Sequence, residues 1–405
     1  MERGTDITNF KRVYRERNVG DFPLNLTLRL RKQDDKKYGE NPSQHCAVYK
    51  IDEINNEYAG VLPRMLNINY ARTDDEGKGG LSLTNEMDIA RAMDVLKFFD
   101  EPAVVIMKHN IVSGFAKQVD SNQTLADLFR LARDADLRSN FGGTAVFNRH
   151  LDMKTAEALY ELKGKNPFFV DVLAAINYNE LVLDYVQSQS KSVRIAQISS
   201  PYAIPKFTGD STYNLLSFKE MPTGRVGVQD LYLTSIKSSE DLIMRPMVVD
   251  KKGEHYIRRG ADKRELDDLL TSWYINVAGA RSNGVVFVKN GVSVAIGSGQ
   301  VERVGAIEQA IVKGVQKYMD KKGFKYDSLK GIGDNDLFMR EAFEGAVCSS
   351  DAFFPFADSI ELLARAGVTA VVQPYGSVND GAVIDAANNY LIAMPATLER
   401  AFGHF

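Results

Sequence analysis

From about Glu86 onward, short apolar runs alternate with amphipathic stretches, and no other feature restricts the fold of this chain as strongly. "NEMDIARAMDVLKFF" repeats its apolar residues at helical spacing, whereas "PAVVIM" is too short and too β-rich for a helix. "TLADLFRLARDA" reads as a helix, "GTAVFN" as a strand and "MKTAEALYELK" as a helix again. "FFVDVLAAI" and "VRIAQIS" then flank the helical "NELVLDYVQS". Strands alternating with helices bury both faces of a sheet, so the predicted class is layered α/β.

The rhythm fails over residues 202–262, where turn-rich and charged segments such as "DKKGEHYIRRGADKRE" predict loops and hairpins. It resumes with helix "LDDLLTSWYINVAGA", strands "GVVFVKNG" and "VSVAIGSG", and helix "VGAIEQAIVKGVQKYMDKK". The expected organisation is an N-terminal arm (1–36), a first α/β half (37–201), a connector (202–262) and a second α/β half (263–405). The halves share an element order without sharing residue identities, which hints at a duplicated architecture.

With 50 Lys and Arg against 53 Asp and Glu, the net charge of −3 lacks the basic excess of a nucleic-acid binder. Cys46 and Cys348 build no disulfide framework and show no metal-ligand spacing, which fits a reducing, cytoplasmic setting. The first residues, "MERGTDITNFKRVYRERNVG", are polar and of mixed charge, so neither a signal peptide nor an anchor is expected there. No window approaches the ~18–20 apolar residues of a spanning helix.

Four segments carry candidate chemistry. Strand "AVVIM" ends on Lys108 and His109, followed by a predicted glycine-bearing loop; histidine near its ordinary pKa of about 6.5 exchanges protons at neutral pH. "AIGSGQVERVGAIEQAI" is strand, turn and helix, but Glu302 stands where a dinucleotide fingerprint needs its third glycine. It reads either as a tight turn or as a ligand site with free N–H groups and Arg303. "SSDAFFPFADSIE" is core, or a loop offering flat apolar faces and a carboxylate to a planar heterocycle, because proline makes it a poor strand. "KKYGENPSQ" is a solvated basic turn or a phosphate contact.

In order, nine segments resemble one family. They are "KYGENPSQ" (37–44), "SLTNEMD" (82–88), "KHNIVSG" (108–114), "FGGTAVFN" (141–148), "RSNGVVFVKNG" (281–291), "IGSGQVERV" (296–304), "SSDAFFPFADSI" (349–360), "QPYGSVND" (373–380) and "ERAFGHF" (399–405). They are similar to the transformylase domain of the bifunctional aminoimidazole carboxamide ribonucleotide (AICAR) transformylase and inosine monophosphate cyclohydrolase family. The resemblance implies two cytidine-deaminase-like three-layer α/β/α halves, a homodimer with active sites at its interface, and formyl transfer from 10-formyltetrahydrofolate to the 5-amino group of AICAR. No metal is implied. Because the first motif begins at Lys37, a stand-alone transformylase is expected, with a separate inosine monophosphate cyclohydrolase as a possible partner.

By the same resemblance His109 is the base, Lys108 supplies electrostatic help or a proton, Asn283 holds the tetrahedral oxyanion, and His404 supports the central histidine. Lys37, Tyr38 and Arg400 match groups that hold phosphate and ribose. Asn85, Asp171, Arg303 and Phe353 match contacts nearer the base, and Gly142 belongs to the same AICAR-binding set. Val304, Pro355, Phe356 and Asp358 match the pterin pocket. Lys37 replaces the usual arginine, trading a bidentate fork for a point charge. Ser43 replaces a histidine, and Val112 a proline, which leaves the loop after His109 less rigid.

Three rival functions remain. A zinc deaminase needs a Cys-x-x-Cys ligand pair, and two isolated cysteines cannot supply it. A non-catalytic purine-nucleotide or folate-binding protein would keep the binding residues and lose Lys108 and His109, which are both present. Formate activation with ATP finds no GxxxxGK[ST] loop in support. Asp358 has a bland reading too, as the N-cap of helix "DSIELLARAG".

Overall fold

The computed structural model describes residues 4–10, 22–37, 44–58, 69–70, 80–163, 166–280, 282–324 and 336–404. Its centre is a mixed sheet of ten strands: β1 Asn69–Tyr70, β2 Ala103–Lys108, β3 Ile111–Lys117, β4 Gly143–Phe147, β5 Val170–Ala175, β6 Arg194–Gln197, β7 Val285–Lys289, β8 Val292–Gly297, β9 Val347–Ser350 and β10 Ala370–Val372. Across the sheet they run β10-β9-β7-β8-β3-β2-β4-β5-β6-β1.

The order contains a repeat. In the first half β2 forms a hairpin with β3 and also pairs antiparallel with β4, which pairs parallel with β5. In the second half β7 does the same with β8 and β9, and β9 pairs parallel with β10. Each hairpin slips register at the same place, between Ile106/Met107 in one and Phe287/Val288 in the other. Each is closed by a two-residue turn with positive φ at both positions: His109 (91°) and Asn110 (62°), Asn290 (52°) and Gly291 (72°). Such turns match the right-handed twist of the flanking strands. The hairpins join antiparallel where Val292 faces Ala116, fusing two sheets into one.

Helices cover both faces, as the expected three-layer α/β/α class requires. On one face α1 (Leu83–Leu96) and α5 (Lys263–Gly279) share a core that contains Met93, Leu96, Trp273, Val105 and Val286. On the other, α2 (Leu125–Ala135), α3 (Met153–Leu159) and α4 (Glu180–Gln189) lie over the first half. The second half is covered there by α6 (Arg303–Lys322), α7 (Asp336–Phe343), α8 (Asp358–Ala366) and α9 (Asp380–Asn389). Ser82, Thr124, Asp152, Asn179 and Asp262 cap their helices by accepting a first-turn backbone N–H, each contributing roughly 0.5–2 kcal/mol.

One expectation needs correction. The segment after His109 is not a loop but strand β3, with Val112 buried within it. Gly114 is therefore no turn residue: a Cβ there would lie 2.2 Å from the Ala132 carbonyl oxygen, so glycine permits close approach of α2 to the strand. The connector contains the hairpins Leu216–Met221/Arg225–Asp230 and Pro246–Asp250/Gly253–Tyr256, the second extended by Thr5–Asp6. A separate small sheet pairs Leu28–Lys36 with Cys46–Ile54. No helix is long and apolar enough to cross a membrane among the described residues.

Candidate active site

Strand directions decide where the motifs meet. Because β3 and β8 run antiparallel, the start of β3 and the end of β8 point to the same edge of the sheet. The Lys108–His109 turn closes β2 and β3 on that edge, and β4 and β5 begin there, next to Gly142 and Asp171. Val285 pairs with both Gly297 and Ser350, so the start of β7 and the ends of β8 and β9 reach the edge too. They bring Asn283, the 298–303 turn and the 351–356 loop. Segments far apart in the chain thus converge on one line of strand termini, where β2, β8 and β9 present the carboxyl ends beside which open α/β sheets hold ligands.

In the first half, the half-buried Lys108 ammonium donates to the carbonyls of Phe141 (2.8 Å) and Gly142 (3.0 Å). Gly142 has φ +67°, and a Cβ on it would sit 3.4 Å from Lys108 Nζ. His109 is exposed, held in the left-handed turn, while Asn110 is buried behind it. Asp88, reaching from α1, accepts from the Asn110 backbone N–H at 2.7 Å and from Thr144 Oγ1 at 3.2 Å. Burial pushes the Asp88 carboxyl above its usual range, opposed by the Asn110 N–H, the Thr144 hydroxyl and the charges of His109 and Lys108. Asp171 is engaged by Arg194 Nη1 at 2.7 Å. Asn85 closes the capping box of α1, its Oδ1 accepting from Ser82 N at 3.1 Å. Lys37 is exposed at the end of a strand whose last residue, Lys36, contacts Glu86 of α1. Tyr38 and Ser43 lie outside the described residues.

The second half supplies a tighter cluster. Arg303, buried at the start of α6, donates through Nη2 to Asn283 Oδ1 (2.8 Å) and through Nη1 to Ser350 Oγ (2.9 Å) and to Asp351. Asn283 Nδ2 donates to the Gln300 carbonyl at 2.9 Å; an amide carries two such N–H donors. Ser282 Oγ donates to Asp351 Oδ2 (2.6 Å) and accepts from the Gly403 N–H (3.1 Å), which ties the C-terminal segment to the cluster. His404 follows, exposed, and lines with Asn110, Phe218, Lys219 and Val277 a cavity of about 960 Å³. Arg400 lies over the Phe402 ring, 4.2 Å from its centroid.

The 353–358 loop leaves β9 at the same edge. Phe353 is half-buried, Phe356 is 60% exposed and Val304 is half-buried at the neighbouring helix start. Pro355 accepts from Asn379 Nδ2 at 2.8 Å. The N-cap of α8 is Ala357, and no side chain caps it. Asp358 is instead the first helical residue; among the described residues its exposed carboxylate takes the Ser359 N–H (2.6 Å) and hydroxyl (3.3 Å). The bland N-cap reading of Asp358 is therefore corrected. Among the described residues no group of three or more His, Cys, Asp or Glu gathers in a metal-holding arrangement.

Sequence reasoning missed Asp351, Ser350 and Arg194, which are partners of Arg303 and Asp171, and Asp88, which holds the Asn110 N–H next to His109. Asp88 and Asp351 sit inside quoted motifs, and their only further signal was a charged residue at an apolar-face position.

The fold and this edge define a class: a duplicated three-layer α/β/α protein whose polar groups converge on strand termini. A sequence model described as AICARFT/IMPCHase bienzyme matches residues 6–313. The chain is 33% identical to the bifunctional purine biosynthesis protein PurH of Persephonella marina over 383 residues, which are 95% of this chain and 62% of that protein. It is 34% identical to PurH of Acetivibrio thermocellus over 394 residues, 96% of this chain and 63% of the relative. The chain belongs to the AICARFT/IMPCHase bienzyme family. It spans less than two thirds of the length of these relatives.

Proposed function

We propose that the chain transfers the formyl group of 10-formyltetrahydrofolate to the 5-amino group of AICAR, giving formyl-AICAR and tetrahydrofolate. The observation that carries this reading is the single sheet edge that joins the Lys108–His109 turn to the Asn283–Arg303 pair. The attacking amine is conjugated with its imidazole and carboxamide and is a poor nucleophile until a proton is removed. In this reading His109 takes that proton as the amine nitrogen bonds to the formyl carbon. The carbonyl electron pair moves onto oxygen, where an Asn283 N–H receives it. The oxyanion pair then re-forms the carbonyl, and the bond from that carbon to the folate nitrogen breaks as the nitrogen takes a proton from the Lys108 ammonium. In this reading His404, which lines a cavity with Asn110 of the same turn, supports His109.

Residues 37–201 then contribute the proton-transfer turn and part of the nucleotide contacts, and residues 263–405 the remaining nucleotide contacts and the folate groups. Arg303, Lys37, Tyr38 and Arg400 serve the nucleotide, with Asn85, Gly142, Asp171 and Phe353 beside its base. The exposed ring of Phe356 and the outward carboxylate of Asp358 suit a pterin carrying N–H donors. Chromatography of a reaction containing both substrates tests the proposal, with the formylated ribonucleotide as the expected new species.

Asp358→Asn tests the folate assignment. The Asp358 carboxylate caps no helix by itself, so near-normal melting is expected. An amide N–H₂ facing a pterin donor costs about 1–3 kcal/mol, so the folate KM should rise roughly 10-fold with AICAR binding unchanged. A normal folate KM would remove Asp358 from the pocket.

The family resemblance also leads us to propose a homodimer. Sedimentation at micromolar concentration should give about twice the 45.1 kDa chain mass. A fully active monomer would contradict it.

A further inference from the structure

Two carboxylates occupy equivalent positions in the repeat. Asp88 projects from α1 onto the His109–Asn110 turn, and Asp268 projects from α5 onto the Asn290–Gly291 turn. Asp268 accepts from the N–H groups of Asn290 (2.8 Å) and Gly291 (2.7 Å), and Asp88 from that of Asn110 (2.7 Å). Both are buried, at 8% and 1% exposure. Asn-Gly is the dipeptide that such a turn favours, so the second turn is held by its own sequence as well as by Asp268. His-Asn has no comparable preference, and its histidine sits at φ 91°. The first turn depends on what clasps it.

Resting on the formyl-transfer reading above, we propose that Asp88 is a positioning residue, fixing the Lys108–His109 turn in the shape that proton transfer needs. Its second oxygen reaches Thr144 on β4, immediately after the glycines whose neighbourhood receives the Lys108 ammonium. One carboxylate thereby ties together α1, the turn and the start of β4. Burying an acid is costly for stability alone, and a neutral residue would avoid that cost. Asp268 is likewise buried beneath a turn, one with no histidine, and also pairs with Arg264 at 3.3 Å, so it serves as a control for loss of a turn-clasping carboxylate.

The test compares wild type, Asp88→Ala, Asp88→Asn and Asp268→Ala, assayed well below their melting temperatures. Asp88→Ala should lose roughly 10²-fold in kcat, the scale of an ångström-sized misplacement, with both KM values within about 3-fold of wild type. Asp88→Asn retains an acceptor oxygen and should recover at least half of that loss on a logarithmic scale. Asp268→Ala should melt earlier than wild type, as Asp88→Ala should, and keep its kcat. In histidine-labelled protein, the His109 ring signal (assigned with His109→Ala) should shift and broaden in Asp88→Ala and stay in place in Asp268→Ala. Equal kcat losses in the two alanine variants, or an unmoved His109 signal in Asp88→Ala, would overturn the proposal. A wild-type chain without transfer activity overturns the formyl-transfer reading instead, and the His109 ring signal then decides the role of Asp88 by itself.

Discussion

His109→Ala should lower formyl transfer by roughly 10²-fold or more, the usual contribution of a positioned general base. Nucleotide affinity should change much less, because the assigned phosphate and base contacts come from other residues. Alanine also carries a backbone cost at this position, since φ 91° is unfavourable for a residue with a Cβ. His109→Asn is the cleaner companion. Asparagine tolerates left-handed backbone, and the matching turn of the second half already has Asn290 at that place with φ 52°. Both variants should lose turnover to a similar extent if the imidazole is what matters. Normal turnover in His109→Asn would return His109 to a structural role.

The second large effect concerns Arg303. Its guanidinium is buried among Asn283, Ser350 and Asp351, and the Arg303 and Asp351 side chains are only 5% and 2% exposed. Removing one partner of such a pair leaves an uncompensated buried charge, which costs about 3–5 kcal/mol. Arg303→Met should therefore lower the urea midpoint strongly and abolish transfer, because Asn283 loses the group that orients its amide. Asp351→Asn in the same chain removes the orphaned charge and should restore part of the stability without restoring activity. A single Arg303→Met variant within about 1 kcal/mol of wild type would show that the cluster is not the anchor described here.

The layered α/β class was legible because strand and helix periods differ, and both repeat along this chain. The duplication was not legible from residue identity. Sheet interiors demand apolar residues without demanding particular ones, so "VVIMKHNIV" and "VVFVKNGVS" share a hairpin, a register slip and a turn type while differing at most positions. The Lys108–His109 pair was found at a strand end. Its tight turn went unrecognised because His-Asn is not a hairpin signal and Gly114 suggested a loop. Gly114 instead answers to the Ala132 carbonyl, a contact between segments that no local pattern encodes. Asp88 and Asp351 act through backbone and side chains distant in sequence, so their motifs could be quoted without their roles being seen. Asp358 shows the reverse case: its helix start was located correctly, yet the cap fell one residue earlier, on Ala357.

The account stands or falls on one reaction. Pure protein mixed with AICAR and 10-formyltetrahydrofolate should produce tetrahydrofolate at a rate that saturates in each substrate and vanishes when AICAR is left out. Saturable AICAR binding with no tetrahydrofolate formed would contradict it, and would make the chain a nucleotide-binding protein built on the same fold.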